Sequence, residues 1–319
     1  MKNFRNILSS LRFINPYLLP LTKPKNINMS KVLIIAGSPR SGTTWLGDLI
    51  SNIPKSIVLF EPLHLDKYPR AKEYEFEWRT YINSNSDNPK AKEFFEDLFN
   101  CRFVNSWITR EVPVSNLFDI QYFIFKFVRA NMLIDWLNNN FYIKKPVFII
   151  RHPCAVVSSQ LRLKQFSKVG NAIMSNNYYE DFPLNKDKIK KYKKSEEILA
   201  ARWCQENYVP LINNNSSILL VTYENLLNNP EEEIKKIFNK WKIEIPKHIY
   251  NMFSISSSTT HRDIDHNDKF SILSRWQNEL EKTQKINILN VVKDFGMDFY
   301  TEELEPDYER LNGDSPIKI

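Results

Sequence analysis

The chain has 319 residues, 42% hydrophobic and 25% charged, with a formal net charge of +7; this length suits one large α/β domain or two small ones, each able to bury a core. A mean hydropathy of -0.43 fits a globular protein, and the most apolar long stretch, Ile120 to Leu137, carries Lys126, Arg129 and Asp135, which excludes a helical membrane span. The positive charge suggests anionic ligands or a solvated basic surface, and the lysines are scattered, clustering only near Lys186 to Lys194, which argues against a nucleic-acid partner.

Residues 1–30 read as a basic, loosely attached leader. Its apolar patch, Phe13 to Leu21, is split by Asn15, Pro16 and Pro20 and lacks the small-residue cleavage site of a signal peptide. Met29 could serve as an alternative start. Lys31 to Ala36 is a continuous aliphatic run, the pattern of a strand buried on both faces of a parallel sheet. Gly37 and Gly42 bracket a turn, and a helix begins at Thr43. Glycines let the backbone turn its N–H groups inward, while the helix start adds unpaired N–H groups and a positive dipole end. An anion belongs there. The glycine spacing is that of a P-loop, but Thr43 stands where a nucleoside triphosphatase carries its lysine, and Arg40 lies inside the loop instead.

Ser56 to Phe60 is the second strand, running into Phe60-Glu61-Pro62-Leu63-His64. Glu61 is therefore expected at the carboxyl end of a strand beside the phosphate loop, where open parallel sheets bind ligands and a general base would be useful. His64 is a second candidate, against its reading as a structural or solvated loop histidine. Residues 65–117 interleave aromatics with charges, include a helix near Ala91 to Asn100, and suit an acceptor-binding insert whose aromatics also pack it onto the main domain. Gln121 to Phe127 reads as a third strand followed by a helix from Ala130 to Asn138, or as one continuous helix.

Pro146 to Ile150 is another buried strand running into a helix, with Arg151 at its carboxyl edge, Pro153 suited to the first helical turn, and Ser159 eight residues beyond the arginine. Ser195 to Asn214 reads as an amphipathic helix with Trp203 on its apolar side, and Ser217 to Val221 as a further strand leading to Tyr223 and Glu224. Glu224 fits a helix-start residue favoured by the positive dipole end. Ser254 to Arg262 is a hydroxyl-rich loop, and His261, Asp263, Asp265 and His266 follow no standard ligand spacing. Cys101, Cys154 and Cys204 form no Cys-x-x-Cys pair. Neither zinc nor a disulfide framework is indicated, which favours a reducing, cytoplasmic setting.

The run Pro39-Arg40-Ser41-Gly42-Thr43-Thr44-Trp45 resembles the 5′-phosphosulfate-binding loop of sulfotransferases, which use 3′-phosphoadenosine 5′-phosphosulfate (PAPS). The resemblance implies that Arg40, Ser41, Gly42, Thr43, Thr44 and Trp45 hold the cofactor, with Arg40 also stabilising charge during transfer. Arg151 and Ser159 resemble the strand-end arginine and helical serine that hold its 3′-phosphate, and Tyr223 the tyrosine that approaches its adenine. Glu61-Pro62 resembles the catalytic position of sulfotransferases acting on carbohydrates, and Lys126-x-x-Arg129 a pair found in that branch. The loop at Thr259 to Arg262, followed by Trp276, is similar to the mobile basic segment that closes over the 3′-phosphate.

Strands ending in functional loops alternate with helices, which predicts an α/β domain over 31–300 with a central parallel sheet flanked by helices. The resemblance makes this a P-loop-containing nucleotide-binding fold, followed by a polar tail over 301–319. The implied activity is transfer of a sulfuryl group from PAPS to a hydroxyl of a small-molecule or glycan acceptor, without a metal. The acceptor stays open among a sugar, phenol, steroid, lipid and peptide tyrosine. A P-loop small-molecule kinase and a non-catalytic nucleotide-binding protein are the alternatives.

Overall fold

The structure is a computed structural model that describes residues 14–163, 174–212, 217–253, 268–313 and 316–317. Among the described residues, five short, largely aliphatic and aromatic runs form strands: β1 (Val32–Ala36), β2 (Ser56–Phe60), β3 (Tyr122–Phe127), β4 (Val147–Ile150) and β5 (Leu219–Thr222). All pair in parallel, in the order β2-β3-β1-β4-β5. The run from 121 is thus a strand, and the helix after it begins late: a 3₁₀ turn, Asn131–Leu133, precedes α4 (Ile134–Asn140).

Alternation along each strand divides the core in two. Val32, Ile34 and Ala36 face one apolar layer with Phe125, Phe127, Phe148 and Ile150. Leu33 and Ile35 face the other with Ile124, Ile149 and Val221. Helices cover both layers, so the sheet is buried on each face, as parallel sheets require.

On the first face lie α3 (Pro89–Phe99), α5 (Pro153–Arg162) and α6 (Ser195–Ile212). In α3, Asn88 caps the backbone N–H of Ala91, Pro89 occupies the first turn, and Ala91, Phe94, Phe95, Leu98 and Phe99 fall on one stripe. On the second face lie α2 (Thr43–Ile50), α7 (Tyr223–Asn228) and α8 (Pro230–Trp241). The stripe Ile234, Ile237, Phe238 and Trp241 buries α8. Two further helices, α9 (Lys269–Glu279) and α10 (Lys282–Asp294), follow.

Within the segment read as a leader, the described residues from 14 onward pack against the domain. Residues Asn15–Thr22 form α1, whose Asn15 side chain is buried and donates to Val112 O at 2.8 Å. Leu19 joins the first core layer, so burial of these two residues holds the helix down. The polar tail is likewise docked: Leu311 and Ile317 are buried, and the Tyr308 hydroxyl lies 3.4 Å from Thr222 Oγ1.

The chain runs from β1 to one side of the sheet and from β4 to the other. The crevice at which connections part lies between these two strands, the customary ligand position in such sheets. The loops carrying Arg40 and Arg151 both open there.

Candidate active site

The loop after β1 is shaped by two glycines. A Cβ on Gly37 would lie 2.4 Å from Ile149 O, and Gly42 has φ +95° with Tyr223 Cδ2 only 2.4 Å from where its Cβ would be. Only glycine fits either position without displacement. Beyond Gly42, α2 starts with its first N–H groups facing the loop.

Arg40 is the third unusual residue here, with φ 77°. A left-handed conformation costs a non-glycine residue roughly 1 to 3 kcal/mol and persists only when its surroundings fix it. Three hydrogen bonds do so. Arg40 Nε donates to Ser159 Oγ at 2.9 Å, Arg151 Nη1 donates to Arg40 O at 3.4 Å, and Gln160 Nε2 donates to Pro39 O at 3.2 Å. The residue as a whole is exposed while its guanidinium folds onto α5. Desolvation, then the charges of Arg151 and Arg162, lower the Arg40 pKa. Among the described residues no carboxylate pairs with Arg40 or Arg151, and Arg151 Nε and Ser41 Oγ are buried without hydrogen-bond partners. These are features of a site suited to an anion.

Tyr223 links the two loops. Its ring packs against Gly42, meets Trp45 edge-on at 5.7 Å, and carries Arg151 Cζ at 4.1 Å from its centroid. Trp45 and Thr43 are buried and Thr44 is partly exposed. The structure thus gathers Arg40, Ser41, Gly42, Thr43, Thr44, Trp45, Arg151, Ser159 and Tyr223 around one crevice.

Glu61 lies further away than expected. It ends β2 at the same carboxyl edge, but β3 intervenes between β2 and β1. Two strand spacings put its backbone about 10 Å from the β1 line, not beside it. Glu61 has φ 41° and its N–H donates to Lys126 O at 2.9 Å, one residue past the last β2–β3 pair. Arg129 Nη1 donates to Glu61 Oε2 at 2.7 Å, and Oε1 makes no hydrogen bond among the described residues.

Aromatic rings surround this carboxylate. Trp107 Nε1 donates to Glu61 O at 3.3 Å, and His64 lies edge-on between Trp107, at 5.0 Å, and Trp78, at 5.2 Å. Arg129 Cζ sits 4.9 Å from the Trp78 ring. Desolvation, then Arg129, lowers the His64 pKa, and its buried Nδ1 has no partner. Lys126, in register with Phe60, is buried beneath the site, and its Nζ rests 3.9 Å from the Phe60 ring centroid. Desolvation lowers the Lys126 pKa against the pull of Glu111 and Glu61. Most insert aromatics, including Tyr68, Phe76, Phe94 and Phe95, are core, while Trp78 stays 39% exposed.

Glu224 stands in the first turn of α7, as expected of a helix-start residue, and is in addition buried, accepting from His152 N at 2.8 Å. His152 itself carried only one sequence signal, its place before Pro153. The segment Ser254 to Arg262, and His261, Asp263, Asp265 and His266, lie outside the described residues. Among the described residues, no group of three or more His, Cys, Asp or Glu side chains could hold a metal.

The sequence profile of the sulfotransferase family matches residues 33–247. No curated protein sequence matches the chain. Similar solved structures include the sulfotransferase domain from a Synechococcus olefin synthase, at 17% identity over 86% of this chain and 96% of that one, TM-score 0.46. The sulfotransferase domain from the curacin biosynthetic pathway is 15% identical over 85% of this chain and 97% of its own, TM-score 0.46. A mouse sulfotransferase complexed with PAP is 15% identical over 91% of each chain, TM-score 0.45.

Proposed function

The chain belongs to the sulfotransferase family, and from that premise we propose that it moves a sulfuryl group from PAPS to a carbohydrate hydroxyl, releasing 3′,5′-ADP. The observation that carries this reading is the convergence of Arg40, Ser159, Arg151 and Tyr223 across the β1/β4 crevice. The unpartnered Arg151 Nε and Ser41 Oγ, and the glycine-shaped loop, suit the two phosphate groups of such a donor.

Arg40, the loop N–H groups and the Thr43 and Thr44 hydroxyls would hold the 5′-phosphosulfate; Arg151 and Ser159 would hold the 3′-phosphate, and Tyr223 the adenine. PAPS supplies a sulfur centre whose leaving group is a phosphate. Glu61 would take the proton as the acceptor oxygen bonds to sulfur and the bond from sulfur to the bridging oxygen breaks. Arg129 orients the Glu61 carboxylate through Oε2, leaving Oε1 for the acceptor. Arg40 would stabilise charge growing on the bridging oxygen, so alignment and electrostatics account for the acceleration.

A carbohydrate acceptor is supported by the ring faces of Trp78 and Trp107 near Glu61 and by the Lys126-x-x-Arg129 spacing. The three cysteines are free and buried, which supports a reducing, cytoplasmic setting. Thermal stabilisation tests the donor. 3′,5′-ADP should raise the melting temperature more than 5′-AMP or ATP with magnesium, because preferential binding to the folded state raises it. Greatest stabilisation by ATP with magnesium would favour a kinase and overturn the reading.

A further inference from the structure

The ladder between β4 and β5 ends at the pair Ile150 and Thr222. One residue on, the Arg151 guanidinium lies on the Tyr223 ring. One residue further, the His152 N–H donates to Glu224 Oε1 at 2.8 Å. The arginine–tyrosine stack is therefore closed on both sides, by the sheet before it and by the Glu224 carboxylate after it.

The other carboxylate oxygen, Oε2, accepts from the Tyr300 hydroxyl at 3.1 Å, and Glu224 and Tyr300 are 1% and 2% exposed. His152 completes the hub. Its Nδ1 accepts from Cys154 N at 3.1 Å, so in the neutral ring the proton sits on Nε2, which donates to Thr301 O at 3.0 Å. Trp276 stacks on that ring at 4.5 Å, and Trp203 Nε1 donates to Arg151 O at 3.1 Å. Trp276, Tyr300 and Thr301 all lie beyond residue 247, where the family profile stops matching. The last part of the chain thus braces the crevice from behind.

We propose that Glu224 is a positioning residue: by tying the end of β4 to Tyr300, it holds Arg151 on Tyr223 and aims the guanidinium at the 3′-phosphate of the bound nucleotide. This rests on the assignment of Arg151 to that phosphate. A backbone N–H just beyond the ladder has no strand partner, and a buried carboxylate satisfies it while its second oxygen engages the C-terminal segment. If Glu224 served only α7, its loss would loosen the fold without regard to which phosphate a ligand carries.

Calorimetric titration with 3′,5′-ADP and with 5′-AMP separates the two roles. Wild type should prefer 3′,5′-ADP. Glu224→Gln should weaken 3′,5′-ADP roughly 10-fold, as expected for one buried hydrogen bond, with 5′-AMP little changed. Tyr300→Phe, which removes one hydroxyl and keeps the ring, should show a smaller loss of the same selectivity, and decides the matter if Glu224→Gln does not fold. Equal weakening of both nucleotides, or full retention of the preference in folded variants, overturns the role of Glu224 alone. A wild type that binds both nucleotides equally overturns the 3′-phosphate assignment and the proposal with it.

Discussion

Arg40 and Ser159 stand 119 positions apart in the chain, yet Arg40 Nε donates to Ser159 Oγ across 2.9 Å. The bond joins the loop after β1 to the helix after β4, and it is one of three that hold Arg40 at φ 77°. Ser159→Ala should cost about 1 kcal/mol of stability, the net worth of a neutral-to-charged bond at a partly exposed site. It should also weaken 3′,5′-ADP more than 5′-AMP, because Ser159 is assigned to the 3′-phosphate. Denaturant titration and calorimetry measure the two effects; a variant unchanged in both would remove Ser159 from the site.

Gly42 should tolerate no side chain. Its φ of +95° disfavours any L-residue, and an added Cβ would meet Tyr223 Cδ2 at 2.4 Å. Gly42→Ala should destabilise the protein by about 1 to 3 kcal/mol. The steric share should disappear when Tyr223→Ala is introduced as well, leaving the backbone share, so the two changes should be non-additive in a double-mutant cycle. Strict additivity would show that the ring and the loop do not press on each other.

Burial raises the Glu224 pKa from 4.5 to about 7, while burial lowers that of His152 from 6.5 to about 3. Between pH 4.5 and 7 the folded chain keeps a proton on Glu224 that the unfolded chain releases, so this group makes stability fall as pH rises. His152 acts oppositely, its contribution being present above pH 6.5 and lost as pH falls toward 3. The two oppose each other between 4.5 and 6.5. Glu224→Gln removes one of them, so the stability of variant minus wild type should rise with pH across 4.5 to 7, by up to about 3 kcal/mol. Melting temperatures of both proteins through this window test it; a difference independent of pH would contradict the account.

What the sequence revealed follows the range of the interactions. Val32–Ala36, the Gly37/Gly42 turn and α2 depend on neighbouring residues, and so they were legible from periodicity and glycine spacing. Strand order does not: the insertion of β3 between β2 and β1, which moves Glu61 away from the loop, depends on pairing between distant segments. The partner of Glu224 lies 72 residues away and that of Asn15 97 residues away, so a helix-start residue and a supposed leader both acquire buried roles that no local pattern signals. The Arg129–Glu61 pair, 68 positions apart, was visible only as two separate motifs.

The central claim is sulfuryl transfer from PAPS with Glu61 as the base, and the most direct measurement is release of 3′,5′-ADP in excess chelator across a panel of glycan, phenol and steroid acceptors. Wild type should turn over without metal, with a glycan as the responsive acceptor. With that acceptor, folded Glu61→Gln should keep its 3′,5′-ADP affinity while turnover falls by about 10²-fold or more, the usual contribution of a general base. Near-normal turnover in Glu61→Gln would exclude Glu61 as the base and transfer the role to His64. Absence of PAPS turnover with every acceptor, beside magnesium-dependent turnover of ATP, would contradict the account as a whole.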